Sequence, residues 1–330
     1  MKKLIITLML VAFTGTPSFA VPLTDEALAF ADRLYSKYGI DPLKTALLIQ
    51  SADYSDKALS LMDRQFEKSG WGMYRKSMVT DNRSNKGGRF YLEHRPSLEL
   101  AYAQYGVTPE IIAAILAVET NYGDYKLPHR AVDVLSTLGF YYPRRADYFR
   151  SELEALLAYA EKNGMDPFSF MSSYAGAVGI PQFMPSNISK YGIDFGGDNI
   201  ADLVNSKTDA IGSVGNYLAK FGWQKDKPTA IKLRGTGFDS FLGQGYDPKF
   251  TVKELEDAGI IFALPANQEE KVNVIRLQTD KGFEHWAIFS NFRTIMRYNN
   301  SANYALAVLL ISKNIEEERK RLEAGNTGGS

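Results

Sequence analysis

The sequence predicts an α+β protein that is mainly α-helical, with a small β insertion near the C-terminus. Apolar side chains recur at helical spacing through most of the 330 residues. Strand-like alternation appears only late, at 229–233, 272–278 and 285–289, and Thr279-Asp280-Lys281-Gly282 reads as a hairpin turn. The helical pattern then returns at 304–312. Helices followed by a short block of strands and a last helix are typical of the α+β class.

The N-terminus has the pattern of a secretory signal peptide over residues 1–20. Lys2 and Lys3 precede a short apolar run, and Ser18-Phe19-Ala20 offers small residues for cleavage. The run is too short to span a bilayer. We therefore expect an exported protein without a membrane anchor, located in the periplasm if the host has an outer membrane.

The segments after the leader are predicted to form helices in chain order. An N-terminal helical region is expected to contain helices at 23–37, 42–51, 55–68 and 98–105. The run TDNRSNKGGR at 80–89 is polar and contains adjacent glycines, which predicts a loop. Further helices are expected at 109–122, 131–138, 143–163 and 209–221, whereas glycine and proline exclude one regular helix over 172–186. The charged and then glycine-rich end from 316 to 330 is predicted to be frayed.

Glu119 is the candidate catalytic group, because of its place on a helix. Thr108 suits the N-cap and Pro109 the first helical position. Ile111, Ile115 and Glu119 are spaced four residues apart, so the carboxyl lies on the apolar stripe. Burial there favours the protonated form, which a general acid near neutral pH requires. A buried, hydrogen-bonded structural glutamate fits this helix equally well.

Composition excludes several classes of function. The formal net charge is zero, so no general field attracts nucleic acid or an anionic membrane. Cysteine is absent, which removes disulfides, thiol nucleophiles and thiolate metal sites. The histidines are scattered without zinc-binding spacing, at His94, His129 and His285.

Six short motifs occur in an order that resembles a known family. They are Glu119-Thr-Asn-Tyr-Gly123, Tyr141-Tyr-Pro-Arg-Arg145, Ala175-Gly-Ala-Val-Gly179, Gln182-Phe-Met-Pro-Ser186, Asp209-Ala-Ile-Gly-Ser213 and Arg297-Tyr-Asn299. Together they resemble the B-type (membrane-bound lytic transglycosylase B) family of peptidoglycan lytic transglycosylases, from about residue 30 to residue 312. The resemblance implies a lysozyme-like catalytic core at 106–225 with an EF-hand-like loop. Around it lie the N-terminal region at 21–105, the β region at 226–290, a helix at 291–318 that returns to the core, and a flexible tail at 319–330.

The resemblance implies cleavage of the MurNAc-β-1,4-GlcNAc bond with formation of 1,6-anhydro-MurNAc ends. Glu119 matches the residue that protonates the glycosidic oxygen and then takes the proton of the C6 hydroxyl. The acetamido oxygen of the substrate is expected to stabilise C1, so a second carboxylate is not needed. Asp124 and Asp133 are near in sequence, but helix geometry gives neither a reason to face Glu119. No cofactor is required for this chemistry.

Nine further residues match family positions at the substrate. A hydroxyl, an amide or an aromatic ring with a polar tip suits a glycan, and paired guanidinium groups suit an acidic peptide stem. The nine residues are Tyr74, Arg144, Arg145, Ser173, Gln182, Tyr217, Tyr298, Asn299 and Tyr304.

Most of these residues also have a structural interpretation. Ser173 fits a cap, Gln182 a brace within its loop, and any one of the 19 tyrosines a place in the core. The arginine pair fits salt bridges to Asp147 or Glu152. Before Gln182, an Ile-Pro pair replaces the aromatic-Gly pair of some relatives, which predicts a stiffer backbone.

The family's calcium loop corresponds to Asp194-Phe-Gly-Gly-Asp198-Asn-Ile-Ala-Asp202. Asp194, Asp198 and Asp202 take ligand positions 1, 5 and 9, with Asp209 as a later ligand. Glycine at position 3 provides no side-chain oxygen, and Asn205 stands where an EF-hand has a bidentate glutamate. These departures favour a weak or absent structural calcium site over a tight one.

Three functional hypotheses follow from the sequence. The first is a lytic transglycosylase that acts on glycan strands and their stem peptides, alone or within a cell-wall enzyme complex. The second is a hydrolytic muramidase, which needs a positioned water and usually a second carboxylate. The third is a non-catalytic peptidoglycan-binding scaffold. The presence of Glu119, Ser173, Gln182 and Asn299 favours the first.

Overall fold

The computed structural model describes residues 23–63 and 70–327. The predicted leader lies outside these ranges, as does the end of the predicted helix at 55–68. The helices of the described ranges are α1 (Asp25–Tyr38), α2 (Pro42–Gln50), α3 (Asp56–Asp63), α4 (Trp71–Met78), α5 (Asp81–Glu93), α6 (Arg95–Tyr105), α7 (Pro109–Thr120), α8 (Ala131–Tyr141), α9 (Ala146–Lys162), α10 (Pro185–Tyr191), α11 (Lys207–Lys220), α12 (Val252–Asp257), α13 (Ser290–Tyr298) and α14 (Ala302–Thr327).

The strands form two antiparallel sheets. A two-residue pair joins β1 (His129–Arg130) to β2 (Met171–Ser172). The larger sheet has five strands in the order β4-β6-β7-β3-β5. Its strands are β3 (Ala230–Gly235), β4 (Phe250–Thr251), β5 (Ile260–Phe262), β6 (Lys271–Thr279) and β7 (Gly282–Ile288). The predicted hairpin is present, since Thr279, the last residue of β6, pairs with Gly282, the first residue of β7.

Helix α7 lies at the centre of the main hydrophobic core. Residues 111–117 are all buried, because α5, α6, α11 and α14 pack around the helix. Pro109 occupies its first turn, where a missing N–H costs nothing. The helix ends at Asn121, whose φ of 52° is left-handed, a conformation that asparagine tolerates better than most residues. Glu119 therefore sits in the last turn of a rigid, buried helix.

The loop predicted at 80–89 is wrong, because this run forms most of α5. Thr80 caps the helix by accepting from the N–H of Arg83. The adjacent glycines lie where α5 crosses α14. A Cβ on Gly87 would stand 2.5 Å from Ile315, and one on Gly88 would stand 2.5 Å from Glu318. The glycines permit close helix packing rather than a turn.

The predicted fraying from residue 316 is also wrong, because α14 continues to Thr327. Ion pairs along the helix offset its charge, and Arg319 pairs with the buried Glu110 of α7 at 3.2 Å. Three more ion pairs join residues three or four positions apart within α14, and each pair at such a spacing stabilises a helix by about 0.2–0.5 kcal/mol. They are Glu316–Lys320, Arg319–Glu323 and Glu318–Arg321.

The β region has a core of its own on one face of the larger sheet. Val272, Val274 and Ala287 pack there with Leu255 of α12 and Phe241. The opposite face packs on the main core through Ile275 and Trp286 among others. The sheet is thus a layer between a small outer core and the helices around α7.

No single described helix is both long and apolar enough to cross a membrane. Only α6 and α7 together meet the criteria of length and composition, with a bend of 115° between them.

Candidate active site

Glu119 lies in the last turn of α7 and is partly exposed. The surrounding protein raises the pKa of this carboxyl to about 7 by desolvation, and a hydrogen bond from Tyr304 opposes that rise. The Tyr304 hydroxyl donates to Oε1 of Glu119 at 2.6 Å. The group is therefore able both to give and to accept a proton near neutral pH.

Three tyrosines from three different helices surround this carboxyl. They are Tyr74 of α4, Tyr298 of α13 and Tyr304 of α14. Burial raises the pKa of each hydroxyl, and the Glu119 charge raises it further. The three phenols consequently remain protonated hydrogen-bond donors over the working range of the carboxyl.

Asp124 and Asp133 are both engaged away from Glu119. Asp124 pairs with Lys86, and Asp133 accepts from Arg130 at 2.6 Å. Within the described ranges, no second carboxylate contributes to the pKa of Glu119. The paired-carboxylate arrangement of most glycosidases is therefore not built at this position.

The predicted irregular segment at 172–186 forms a tight hairpin beside Glu119. Val178 and Phe183 exchange backbone hydrogen bonds of 2.8 and 3.1 Å. The tip is held from both sides, because Thr120 donates to the Ile180 carbonyl at 2.7 Å and Tyr298 to the Pro181 carbonyl at 2.6 Å. The residue that follows Glu119 thus fixes the loop that carries Gln182.

Ser173 and Gln182 both make bonds within this hairpin. Ser173 Oγ accepts from the N–H of Ala177 at 3.2 Å. Gln182 has a left-handed φ of 53°, and its side-chain amide donates to the carbonyls of Ala177 and Gly179. Both residues are half-buried, so each is braced and still partly exposed.

Tyr217 lies inside an aromatic cluster behind Tyr298. Its ring centroid is 5.0 Å from that of Tyr298 and 4.5 Å from that of Phe221. Its hydroxyl donates to the Arg297 carbonyl at 2.7 Å, and the residue is only 6% exposed. Burial raises its pKa to about 12. This geometry favours support of Tyr298 over direct stacking on a ligand.

The two arginines are exposed on a short 3₁₀ turn before α9. Arg145 lies over the ring of Tyr148, 4.2 Å from its centroid, in cation–π geometry. Of the two carboxylates considered as their partners, Asp147 pairs with Arg150 and Glu152 accepts from Ser186. Asn299 is exposed where α13 ends.

The sequence did not point to Thr120 and Lys86, which hold the turn that follows Glu119. Thr120 is buried and also accepts from the N–H of Gly123 at 3.0 Å. Lys86 of α5 donates to the Asn121 carbonyl at 2.7 Å. The position of Thr120 directly after Glu119 was a signal, whereas Lys86 lay in the segment predicted to be a loop.

The aspartate loop brings together three of the four predicted metal ligands. Carboxylate oxygens of Asp194, Asp198 and Asp209 lie within 4.8 Å of one another. Asp202 is not part of this converging set. Its carboxylate accepts from the backbone N–H groups of Val204 and Asn205 at 3.0 Å, as the carboxylates of Asp194 and Asp209 accept from other N–H groups of the loop. The oxygen donors are those that calcium prefers, but the set of converging carboxylates is smaller than the sequence suggested.

A carboxyl with a raised pKa, placed at the end of a buried helix among three tyrosine hydroxyls, has the properties of the general acid that cleavage of a glycosidic bond requires. Here the fold is lysozyme-like. The chain belongs to the family described as transglycosylase SLT domain, whose profile matches residues 24–313.

Known proteins of this family are similar over most of the chain. The membrane-bound lytic murein transglycosylase B of Escherichia coli is 36% identical over 292 residues, and the match covers 86% of this chain and 80% of that protein. The E. coli lytic transglycosylase Slt35, solved in complex with calcium, is 36% identical with a TM-score of 0.83, covering 89% of this chain and 94% of its own. SltB3 of Pseudomonas aeruginosa, solved with NAG-anhNAM-pentapeptide, is 25% identical with a TM-score of 0.79, covering 87% and 78%.

These findings confirm the fold class and the class of enzyme that the sequence predicts, a lytic transglycosylase of peptidoglycan. The roles of individual site residues are a separate matter, for which the geometry above provides the argument.

Proposed function

We propose that this chain cleaves the MurNAc-β-1,4-GlcNAc bond of peptidoglycan without water, with Glu119 as both acid and base. The observation that carries the proposal is the Glu119 carboxyl, with a pKa raised to about 7 and with one oxygen held by Tyr304. A group at this pKa is protonated in a large fraction of molecules at neutral pH, and its conjugate base is strong enough to remove a proton later.

In the first step, protonated Glu119 transfers its proton to the glycosidic oxygen as the bond from that oxygen to C1 breaks. The leaving sugar departs with a free hydroxyl. Positive charge develops at C1, and the acetamido carbonyl oxygen of the same sugar adds to that carbon. The acetamido group of the substrate thus stabilises the positive charge at C1. This suits the site, because no second carboxylate among the described residues affects the pKa of Glu119.

In the second step, the Glu119 carboxylate removes the proton of the C6 hydroxyl. The C6 oxygen forms the bond to C1 and the acetamido oxygen leaves that carbon. The product is a 1,6-anhydro ring, and Glu119 is again protonated. The three tyrosines donate hydrogen bonds without releasing protons, because burial and the Glu119 charge raise their pKa.

Ser173 and Gln182 are placed to hold the acetamido group and a sugar hydroxyl at the bond that breaks. Their hairpin is anchored to α7 by Thr120 and to α13 by Tyr298, so little ordering remains when substrate binds. Tyr74 and Asn299 would contact the sugars directly. Tyr217 would act indirectly, as support for Tyr298.

Arg144 and Arg145 would bind acidic groups of the stem peptide. Both are exposed, and the Arg145 guanidinium is oriented by the Tyr148 ring. A planar guanidinium held over an aromatic ring retains its in-plane donors for a carboxylate.

A muramidase on this scaffold would need a base to activate water opposite the leaving group. Asp124 and Asp133 are bonded to Lys86 and Arg130 instead, which favours the transglycosylase. A scaffold without catalysis would gain nothing from a carboxyl held at a pKa of about 7.

We also propose a weak structural calcium site at Asp194, Asp198 and Asp209. Asp209 is buried and bonded to the N–H groups of Phe195 and Gly196 at 2.9 and 2.8 Å, so it is fixed in place. Asp202 lies outside the converging set, which leaves fewer ligands than a tight site has. The ion would stabilise the loop, and no catalytic step requires it.

Each part of the chain would have its own role. The core at 106–225 would provide the acid-base group and the hairpin. The regions at 21–105 and 226–290 would flank this core, and the helical segment at 291–318 would bring Tyr298 and Tyr304 to Glu119. With the leader at 1–20, the enzyme would be exported to the periplasm, where its substrate lies.

Product analysis in H₂¹⁸O tests the proposal. Purified peptidoglycan is digested and the released muropeptides are measured by mass spectrometry. Transglycosylation predicts products lighter by one water than reducing ends and free of ¹⁸O. Reducing ends that carry ¹⁸O would establish a muramidase, and the absence of any release would favour a scaffold.

A further inference from the structure

Helix α4 carries Tyr74 and has little stability of its own. It has eight residues, fewer than the roughly 12–15 that an isolated helix needs to form in water. Gly70 precedes it and provides no side-chain cap. The helix packs against both β6 and α14, so its place depends on these neighbours. Tyr74 is close enough to Glu119 for the carboxylate charge to raise the pKa of its hydroxyl, and this proximity depends on what holds α4.

Glu284 of β7 accepts hydrogen bonds from four side chains. Its Oε2 accepts from the indole N–H groups of Trp71 and Trp286 at 3.2 and 3.3 Å. Its Oε1 accepts from Lys232 at 2.8 Å and from Arg75 at 3.4 Å. Trp71 and Arg75 belong to α4, whereas Lys232 and Trp286 belong to β3 and β7. A single carboxylate therefore joins the helix to the sheet.

The Glu284 carboxylate is shielded from solvent and remains charged. Its side chain is 14% exposed. Burial acts to raise its pKa, but the hydrogen bonds from Lys232 and Trp71 outweigh burial and hold the pKa below its usual value. Hydrogen bonds to an ionised acceptor are about twice as strong as those between neutral groups. The carboxylate thus holds its donors more firmly than an exposed surface pair would.

The bond from Trp71 to Glu284 also orients Tyr74. Trp71 is the first residue of α4, and only 1% of it is exposed. Its ring packs in the main core and its N–H is bonded to Glu284, so the side chain is fixed at both ends. Tyr74 follows three residues later, which places the two side chains on one face of the helix. A shift or rotation of α4 that freed Trp71 would therefore also move the Tyr74 hydroxyl.

A second contact joins α4 to the turn between β6 and β7. A Cβ on Gly72 would stand 2.8 Å from Oδ1 and 3.2 Å from the backbone nitrogen of Asp280, so the helix lies directly against this turn. Lys76, one turn further along α4, pairs with the same aspartate. The hairpin of β6 and β7 thus contacts α4 at its turn and bonds to it through Glu284.

We propose that Glu284 is a positioning residue for the lytic reaction, which fixes α4 so that the Tyr74 hydroxyl stays beside Glu119. Glu284 acts through Trp71 and Tyr74 rather than on the substrate. The proposal rests on the proposed function, because it requires Tyr74 to act at the bond that breaks. It makes the hairpin of β6 and β7 a part of the catalytic apparatus.

The first test measures amide hydrogen exchange by NMR, which does not depend on turnover. Glu284→Gln keeps the size of the side chain and removes its charge. We expect exchange at residues 75–79 of this variant to be at least tenfold faster, the effect of losing hydrogen bonds to a charged group, with α7 unchanged. Exchange at α4 equal to that of wild-type protein, or faster exchange throughout the protein, would overturn the proposal.

Glu270→Gln is the matched control for this test. Glu270 also belongs to the β region, its side chain is 18% exposed, and it pairs with Lys227 at 3.3 Å. This control should leave exchange at α4 and the rate of the reaction unchanged. If it accelerates exchange at α4 as much as Glu284→Gln does, loss of any ion pair in the β region has the same effect, and the assignment to Glu284 is wrong.

The second test is a double-mutant cycle on kcat for release of muropeptides. We expect Glu284→Gln and Tyr74→Phe each to lower kcat roughly tenfold with a smaller change in KM. The double variant should be within about twofold of Tyr74→Phe alone, because the position of a missing hydroxyl no longer matters. Effects that multiply would show that Glu284 acts independently of Tyr74, and a normal kcat in either single variant would also contradict the proposal.

Trp71→Phe provides a second way to break the same connection. It removes the indole N–H and keeps an aromatic ring in the core, so it should reproduce the faster exchange at α4 and the lower kcat. Normal exchange and kcat in this variant would contradict an action of Glu284 through Trp71.

The ends of the released products separate this proposal from the proposed function. Release is counted whatever ends the products carry, and the ends are identified separately by mass spectrometry. Reducing ends from wild-type protein would contradict the proposed function alone, since the cycle would still decide the role of Glu284. Anhydro ends without coupling between Glu284 and Tyr74 would contradict the positioning role alone, and no release from wild-type protein would contradict both.

Discussion

The Tyr304 hydroxyl and Oε1 of Glu119 are joined by a 2.6 Å hydrogen bond between residues 185 positions apart in sequence. Burial raises the pKa of the carboxyl, and this bond lowers it, so the value of about 7 is a balance of the two. The bond joins α14 to α7 at the carboxyl itself.

Tyr304→Phe tests this balance through the pH dependence of kcat/KM. The first step requires protonated Glu119, so the rate of wild-type protein should fall as pH rises through about 7. Without the hydroxyl the carboxylate loses its donor, the pKa rises, and the fall should move to higher pH. The maximal rate should drop about 10- to 100-fold from lost positioning. An inflection that stays in place or moves to lower pH would show that Tyr304 does not stabilise the carboxylate.

Thr120→Val should loosen the hairpin that carries Gln182. The substitution removes the bond to the Ile180 carbonyl and leaves that buried acceptor without its partner, at a cost of about 1–3 kcal/mol. We expect a lower kcat with less change in KM, because the loop is positioned for the reaction more than for ground-state binding. Thr120→Ser keeps the hydroxyl and should restore kcat. If Ser and Val variants behave alike, the hydroxyl does not position the loop.

Gly87→Ala should destabilise the contact between α5 and α14. The added Cβ would stand 2.4 Å from the Tyr122 hydroxyl and 2.5 Å from Ile315, so the helices must move apart. Overpacking of this kind costs about 1–3 kcal/mol in chemical denaturation. Gly325→Ala is the control, since nothing lies within 4 Å of that helical position, and it should be neutral or stabilising. Equal stability of both variants would argue against a close crossing at Gly87.

Calcium should raise the melting temperature of the protein at millimolar concentration, and EDTA should reverse the effect. Asp198→Asn removes one of the three converging carboxylates and should abolish the calcium-dependent increase. Asp202→Asn should retain most of it, because the Asp202 carboxylate is not among those that converge. Loss of the calcium effect in both variants to the same degree would place Asp202 among the ligands.

The parts of the fold predicted correctly are those with local signals. Helix α7 has a proline at its start and an apolar face that places Glu119, and both features are readable from the sequence alone. The hairpin of β6 and β7 follows from alternation and a turn. The sequence also predicted irregular structure at 172–186, although not the short helix α10.

The failures arise where a partner distant in the sequence decides the structure. Gly87 and Gly88 have the composition of a loop, and only the approach of α14 gives them a place in a helix. The charged run after Glu316 has the composition of a tail, yet Arg319 meets a glutamate buried on α7. Similarly, family position alone identified Tyr304, and its bond to Glu119 depends on how α14 packs.

The most direct test of Glu119 as acid and base is the release of anhydro-ended muropeptides by wild-type protein and by Glu119→Gln. Glutamine keeps the size of the side chain but has no proton to transfer at neutral pH, so the account predicts loss of release with glycan binding retained. Anhydro products released by Glu119→Gln at a rate near that of wild-type protein would contradict the account.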